Sequence, residues 1–179
     1  ASSDSIFMST RGGKHYDRSF MEAFIRPGDT PLDWVARDNT PALGLAEGDG
    51  RKLYIYRMSH YAQPSAHLDR YSLRLDGFVS VHASYEGGEL LSKPFRFEGK
   101  ELEINYESSA AGELRVELQD LEGKPIPGFS LEQCTPIFGN EIEGVVKWKG
   151  GSDVSVLAGR AIRMRIAMSD ADLYSFRFR

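Results

Sequence analysis

The chain has 179 residues and a formal net charge of −4; 41% of the residues are hydrophobic and 27% are charged. This size suffices for one full hydrophobic core and a small second lobe. An acidic balance without a clustered basic stripe argues against a nucleic-acid partner. No apolar run approaches the ~20 residues that a transmembrane helix needs, so membrane insertion is not expected.

Residues 1–69 carry scattered and irregular strand signals. The clearest are residues 5–10, which stop at Gly12-Gly13, and residues 53–58, which follow the turn Gly48-Asp49-Gly50. Glycine-rich stretches interrupt strands because glycine adopts backbone angles that other residues avoid. The region therefore reads as short strands separated by loops.

From residue 70 onward the strand signals become regular. The pattern predicts strands at 71–75, 78–84, 89–91, 95–97, 101–106, 113–119, 143–148, 161–168 and 173–179. Many short strands with frequent turns and no long amphipathic helix indicate an all-β fold. We predict an antiparallel, jelly-roll-like β-sandwich.

Three of these strands alternate strictly between apolar and polar residues. Their apolar positions are Leu102, Ile104 and Tyr106; Leu114, Val116 and Leu118; and Ile162, Met164, Ile166 and Met168. Side chains of a strand point alternately to its two faces, so each strand should bury one face and expose the other. On this interpretation four glutamates lie on the solvated faces, namely Glu101, Glu103, Glu113 and Glu117.

The dipeptide Asp76-Gly77 lies between two apolar alternating runs. Asp-Gly in this context is a strong signal for a tight hairpin turn, because both residues tolerate positive φ. The sequence therefore predicts that residues 71–75 and 78–84 pair across this turn. It also marks a boundary between an irregular part, residues 1–69, and a regular sandwich, residues 70–179.

One polar segment lies outside any alternation and is the best candidate for a binding pocket. It contains His15, Tyr16, Asp17, Arg18 and Glu22. His15, Tyr16 and Arg18 could donate hydrogen bonds to hydroxyls or carboxylates of a substrate. Asp17 and Glu22 are the weak candidates for catalytic carboxylates. The alternative is an internal ion-pair network that anchors an exposed loop.

Aromatic side chains can serve as platforms on which sugar rings stack. The candidates are Trp34, Tyr54, Tyr56, Tyr85 and Trp148. Trp148 lies at a strand end beside Gly150-Gly151, a position that suits either a binding face or the rim of the core.

The sequence contains no convincing metal or cofactor site. Asp170 and Asp172 form an Asp-x-Asp pair that could bind calcium, although this pattern is also ordinary turn chemistry. His15, His60, His67 and His82 show no metal-binding spacing, and no phosphate-binding glycine loop is present. We therefore expect no cofactor.

Several ordered stretches carry a resemblance to a known group. They are RLDGFVSV at 74–81, GGELLSKP at 87–94, GKPIPGFSL at 123–131, VKWKG at 146–150, DLYSFRF at 172–178, GKHYDRSFMEAF at 13–24 and LYIY at 53–56. Together they resemble the C-terminal region of secreted bacterial proteins related to glycoside hydrolase family 32, in which a five-bladed β-propeller is followed by a β-sandwich. The resemblance implies that residues 1–69 are propeller-derived strands and that the protein is secreted or periplasmic.

The departures from that family affect the expected function. The family's catalytic motifs N-D-P-N-G, R-D-P and E-C do not occur in this chain. The leading hypothesis is a non-catalytic module that supports or binds glycan. Two alternatives stay open: part of a glycoside hydrolase whose catalytic carboxylates lie outside this chain, with the remainder of a longer polypeptide as partner, or a structural sandwich that forms a homo-oligomer without ligand.

Overall fold

The computed structural model describes residues 3–35 and 37–179 of the chain. The fold is all-β, as the sequence predicts, and its sheets are antiparallel. Within the described residues the only helical elements are two short 3-10 turns, Pro31–Asp33 and Ser155–Leu157. None of the described residues forms a helix long and apolar enough to cross a membrane. The chain divides into two compact units, Ala1–Phe78 and Val79–Arg179.

The first unit is built around one long hairpin. Its strands are β1 (Ser5–Ile6), β2 (Ala23–Ile25), β3 (Thr40–Pro41), β4 (Ala46–Glu47), β5 (Lys52–Ser59) and β6 (His67–Arg74). Strand β6 pairs with β5 along its whole length. Strands β3 and β4 also pair with β5 and therefore share its other side, while β1 and β2 form a separate two-stranded sheet. The predicted strand at 53–58 is thus confirmed as the centre of this sheet.

The second unit is a sheet curled into a half-barrel. Its strands are β7 (Val81–Ala83), β8 (Gly88–Leu91), β9 (Leu102–Gln119), β10 (Asn140–Val145) and β11 (Arg163–Phe178). Strands β9 and β11 pair along most of their length, with register breaks between Ser169 and Ala171 and between Leu173 and Ser175. Strand β10 borders the first half of β9, whereas β7 and β8 border β11. Two pairs of predicted strands, 101–106 with 113–119 and 161–168 with 173–179, are therefore two continuous bent strands.

The core of the second unit confirms the predicted apolar faces. Every alternating apolar residue of β9 and β11 named above is buried, together with Val146, Trp148, Val154 and Leu157. Cys134 is a free, buried thiol in the same core, and burial raises its pKa. The sandwich therefore has one continuous hydrophobic core.

The strand faces opposite this core are not uniformly exposed to solvent, which corrects the prediction that all four glutamates lie on solvated faces. Glu103 and Glu117 are each only 2% exposed, whereas Glu101 and Glu113 are partly exposed. Each buried carboxylate lies beside an arginine of β11: Glu103 is 2.7 Å from Arg177, and Glu117 is 3.6 Å from Arg165. Long cationic side chains pair with these carboxylates, and alternation alone does not reveal such pairing.

The Asp76-Gly77 turn is not a hairpin between neighbouring strands, so that prediction is wrong. Strand β6 pairs with β5 through eight residue pairs, whereas β7 pairs with β11. Asp76 has a positive φ of 56°, but Gly77 does not. A Cβ at Gly77 would lie 2.9 Å from both Cγ and the carbonyl oxygen of Arg74. Glycine is favoured there by close approach rather than by left-handed backbone. The two units part after Phe78, nine residues beyond the predicted boundary at residue 69.

Candidate ligand-binding face

The polar segment singled out from the sequence is an exposed loop. His15, Tyr16, Asp17, Arg18 and Glu22 are all exposed. The Asp17 carboxylate accepts hydrogen bonds from the hydroxyl and the backbone N–H of Ser19, and these bonds lower its pKa. In the part of the chain that the structure describes, no ion pair links the members of this segment. The ion-pair network considered as the alternative is therefore not observed among the described residues, and the catalytic and binding roles of these residues stay predictions.

Tyr16 does line a cavity in the first unit. The cavity has a volume of about 350 Å³ and is mostly apolar, with Phe7, Met8, Phe24 and Leu45 among its walls. The other residues of the predicted binding segment do not contribute to it. This cavity offers few groups that could orient a polar ligand.

Trp148 is a core residue and not a stacking platform. It is 3% exposed, its Nε1 donates a hydrogen bond of 3.0 Å to the carbonyl of Val116, and its ring packs edge-on against Phe129. The aromatic candidates that stay accessible are Trp34, Tyr56 and Tyr85. Trp148 therefore contributes to stability, and the substrate-binding role considered for it is wrong.

Asp170 and Asp172 make contacts that stabilise a turn and a strand of the second unit. Asp170 has a positive φ of 43°, and its N–H donates to the carbonyl of Ser84. The Asp172 carboxylate accepts a hydrogen bond of 2.6 Å from the Ser80 hydroxyl and lies 3.2 Å from Nδ1 of His82. Among the described residues, no group of three or more His, Cys, Asp or Glu side chains could hold a metal ion.

The β5–β6 hairpin has a buried face that holds a polar network. Arg57 is 5% exposed and is the centre of this network. Its guanidinium donates to Oδ1 of Asn39, to the carbonyl of Arg26 and to Oδ2 of Asp69. The hydroxyl of Ser59 donates to the same Asp69 oxygen, and these bonds together lower the pKa of Asp69. The network holds β5 and β6 together on the buried face of the hairpin.

The loop that joins β5 and β6 brings two histidines together. The rings of His60 and His67 meet edge to face, with centroids 4.9 Å apart. Nδ1 of His60 lies 2.9 Å from the hydroxyl of Ser65, and its Nε2 lies 3.4 Å from Asp33. Nε2 of His67 lies 3.3 Å from Asp69. Sequence spacing does not predict this convergence, because seven positions and a loop separate the two histidines.

This histidine cluster closes the loop on itself. His60 and Ala62 both have positive φ, a costly conformation that the surrounding bonds must hold in place. Ser65, His60 and Asp33 contact one another in the same order as the serine, histidine and aspartate of a catalytic triad. However, the serine faces Nδ1 and the aspartate Nε2, the reverse of the usual arrangement. We interpret the cluster as one that stabilises the loop, because its polar groups are paired with one another.

The solvent face of the same hairpin carries tyrosines and arginines side by side. In the register of the two strands, Tyr54 lies opposite Ser72, Tyr56 opposite Arg70, and Met58 opposite Leu68. Directly opposite residues of an antiparallel pair share a face, so these six side chains form one surface. The guanidinium of Arg70 lies over the ring of Tyr54, 4.7 Å from its centroid.

A second tyrosine–arginine pair continues this surface at one end of the hairpin. Arg37 lies 5.5 Å from the centroid of the Tyr61 ring and donates a hydrogen bond of 3.1 Å to its hydroxyl. Both residues line a cavity of about 430 Å³ together with Thr40, Met58 and Leu68. We call the combined surface the tyrosine–arginine face and define it by Arg37, Tyr54, Tyr56, Tyr61 and Arg70.

The charges of the hairpin are separated between its two faces. Asp69 lies on the buried face with Arg57, and Glu47 is opposite Leu53 and so shares that side. Within the described residues, the strand positions of β3 to β6 on the tyrosine–arginine face include no aspartate or glutamate. Lys52 extends the face at its other end, because it is two residues before Tyr54 on β5. The face is therefore cationic on a chain that is acidic overall.

Tyr54 and Tyr56 were candidates from the sequence, but their arginine partners were not. Arg37, Lys52 and Arg70 are far apart along the chain, so linear inspection shows no basic stripe. The available signal is the alternation Leu68, Arg70, Ser72 in β6, which places an arginine on the face opposite Asp69.

Comparison of the chain with protein families, with curated proteins and with solved structures finds no match in any of the three. The resemblance to proteins related to glycoside hydrolase family 32 therefore gains no support from these comparisons and stays a prediction, as does the propeller origin of residues 1–69.

Proposed function

We propose that the chain is a non-catalytic, all-β glycan-binding module of a carbohydrate-active protein. In this proposal the glycan contacts the tyrosine–arginine face of the first unit. The observation that carries the proposal is the pairing of Tyr54 and Tyr56 with Arg70 on a face whose described strand positions include no acidic residue. No catalytic role is assigned, because the carboxylates considered from the sequence, Asp17 and Glu22, lie in an exposed loop.

The chemistry of this face suits a sugar. A tyrosine presents an apolar ring to the C–H faces of a pyranose or furanose and a hydroxyl at the ring edge. Tyr56 is 37% exposed and has Arg70 directly across the strand pair. Arginine N–H groups donate to ring and hydroxyl oxygens, so the pair supplies both a stacking surface and hydrogen-bond donors.

The cavity at the end of the face adds depth to an otherwise flat surface. Its volume of about 430 Å³ falls in the range of small-ligand sites. The exposed Leu68 and the ring of Tyr61 form apolar walls, and Arg37 provides the polar group. One end of a glycan chain could enter this cavity while the next sugars contact Tyr56.

Affinity electrophoresis tests the proposal directly. The full chain is run in native gels that contain dextran, inulin, xylan, polygalacturonate or dextran sulfate. Migration should be retarded by at least one of them, and Tyr56→Ala should weaken that binding about ten-fold, as expected for one central aromatic contact.

Tyr85→Ala is the matched control, because Tyr85 is a highly exposed tyrosine of the second unit. It should bind like the unaltered chain. If the chain binds none of the polysaccharides of the panel, the proposed function is rejected. A loss of binding in Tyr85→Ala but not in Tyr56→Ala places the site elsewhere.

A further inference from the structure

We propose that the glycan bound by the tyrosine–arginine face is acidic, with carboxylate or sulfate groups that pair with Arg37 and Arg70. This inference rests on the proposed glycan-binding function and specifies its ligand class. It follows from the charge of the face, the state of its arginines and the way in which they are held.

Among the residues that the structure describes, the cations of the face have no acidic partner. Arg57, Arg165 and Arg177 each form a salt bridge elsewhere in the molecule. By contrast, none of Arg37, Lys52 and Arg70 forms an ion pair within the part of the chain that the structure describes. All three side chains are exposed. They generate a positive potential, which attracts an anionic ligand but not a neutral sugar.

The two arginines are oriented by tyrosine rings rather than by carboxylates. Arg70 stacks on Tyr54, and Arg37 is held over Tyr61 while it also bonds the Tyr61 hydroxyl. Stacking holds the planar guanidinium while leaving N–H donors at its edge free. A guanidinium in this state matches the two oxygens of a carboxylate or a sulfate, which it can bind through parallel hydrogen bonds.

The backbone around Arg37 supports a built site. Arg37 and Asn39 both have positive φ, at 67° and 62°, a conformation that is uncommon outside glycine and that asparagine tolerates better than arginine. The buried Asp38 between them accepts a bond of 2.6 Å from the N–H of Tyr61. This turn thus fixes Arg37 and Tyr61 relative to each other at the mouth of the cavity.

An acidic glycan fits the face better than a single-stranded nucleic acid. Nucleic-acid binders stack successive bases on exposed aromatic rings. Here Arg70 covers Tyr54 and Arg37 lies over Tyr61, which leaves Tyr56 as the open ring of this face. One open ring between two cations suits alternating contacts with a sugar and its acid groups.

The test compares acidic and neutral polymers by isothermal titration of the full chain. Polygalacturonate supplies carboxylates, dextran sulfate supplies sulfates, dextran is neutral, and oligo-dT is the nucleic-acid probe. One or both acidic glycans should bind, with an affinity that falls as salt rises from 50 to about 300 mM, because exposed charge pairs are screened. Which of the two binds distinguishes a carboxylate from a sulfate ligand.

Arg70→Gln should weaken binding to the acidic glycan about ten-fold, since it removes one charge-assisted contact. The charge-matched control is Arg160→Gln, which removes an exposed arginine of the second unit and should leave binding unchanged. Melting curves establish that both variants are folded.

The outcomes separate this inference from the proposed function. Binding to dextran as tight as to the acidic polymers, insensitive to salt and to Arg70→Gln, overturns the acidic ligand and leaves glycan binding in place. Equal losses in Arg70→Gln and Arg160→Gln also overturn it, because the effect would then be one of net charge. Tighter binding to oligo-dT than to every glycan overturns the ligand class. Absence of binding to these polymers and to the whole electrophoresis panel rejects the proposed function itself.

Discussion

The two buried glutamates of β9 have different surroundings although they occupy equivalent faces of one strand. Glu103 pairs with Arg177 and Arg179, whose side chains reach solvent. Glu117 accepts bonds from the amide of Gln119 at 2.7 Å and from the N–H of Leu131 at 3.1 Å. Loss of Glu117 would therefore leave buried donors without a partner, which is more costly than the loss of an exposed pair.

Glu117→Ala is expected to lower the free energy of unfolding by about 3 kcal/mol, because it removes the acceptor of a buried network. Denaturant unfolding followed by circular dichroism measures the change. Glu113→Ala on the same strand is the control: Glu113 and its partner Arg115 are both partly exposed to solvent, so the expected cost is about 0.5 kcal/mol or less. Equal costs in the two variants would contradict a structural role for the Glu117 network.

At the scale of the element, the second unit depends on the bend that lets β9 and β11 curl together. Gly112 lies at this bend, and a Cβ built there would be 2.3 Å from the carbonyl oxygen of Asp170 and 2.7 Å from that of Ser169. Both obstacles are backbone atoms and cannot rotate away. The positive φ of Asp170 marks the facing side of the same bend.

Gly112→Ala is therefore expected to destabilise the chain by about 3 kcal/mol, since the two strands must separate to admit one methyl group. The melting temperature provides the measurement. Gly150→Ala is the matched control, because a Cβ at Gly150 meets no atom within 4 Å and its φ is not positive. An unchanged melting temperature in Gly112→Ala would show that the bend has room.

At the scale of the whole molecule, the two units differ in how they are held together. The buried apolar core belongs to residues 79–179. In the described part of the first unit, the buried apolar side chains are Ile25 and Ile55, and the other buried side chains are the polar Asp38, Asn39, Arg57 and Ser59. Burial of apolar surface is the main source of folding free energy, so the second unit has the larger share.

The polypeptide 79–179, expressed by itself, is accordingly expected to fold and to unfold cooperatively on heating, as a domain with a complete core does. The polypeptide 1–78 is expected to show no cooperative transition. Thermal unfolding followed by circular dichroism checks both. A cooperative transition in 1–78 together with none in 79–179 would reverse this assignment.

Much of the fold could be predicted from residues close together in sequence. Period-two alternation identified the core positions of β9 and β11, and the run around Tyr54 and Ile55 identified β5, because alternation is a local property of a strand. The same reasoning proposed Tyr54 and Tyr56 as binding candidates. It left Trp148 open between a binding face and the rim of the core, since a tryptophan at a strand end can turn into the core or away from it.

What the sequence by itself determined is the class of the fold and the apolar face of each long strand, and it named Tyr54 and Tyr56 as binding candidates. Only the tertiary structure decided that Asp76-Gly77 joins strands of different sheets, that Glu103 and Glu117 are buried, and that Arg37 and Arg70 share one face with those tyrosines. The reason is physical. Strand pairing and charge pairing join residues that are distant along the chain, and these contacts are selected by the free energy of the whole fold rather than by any local pattern.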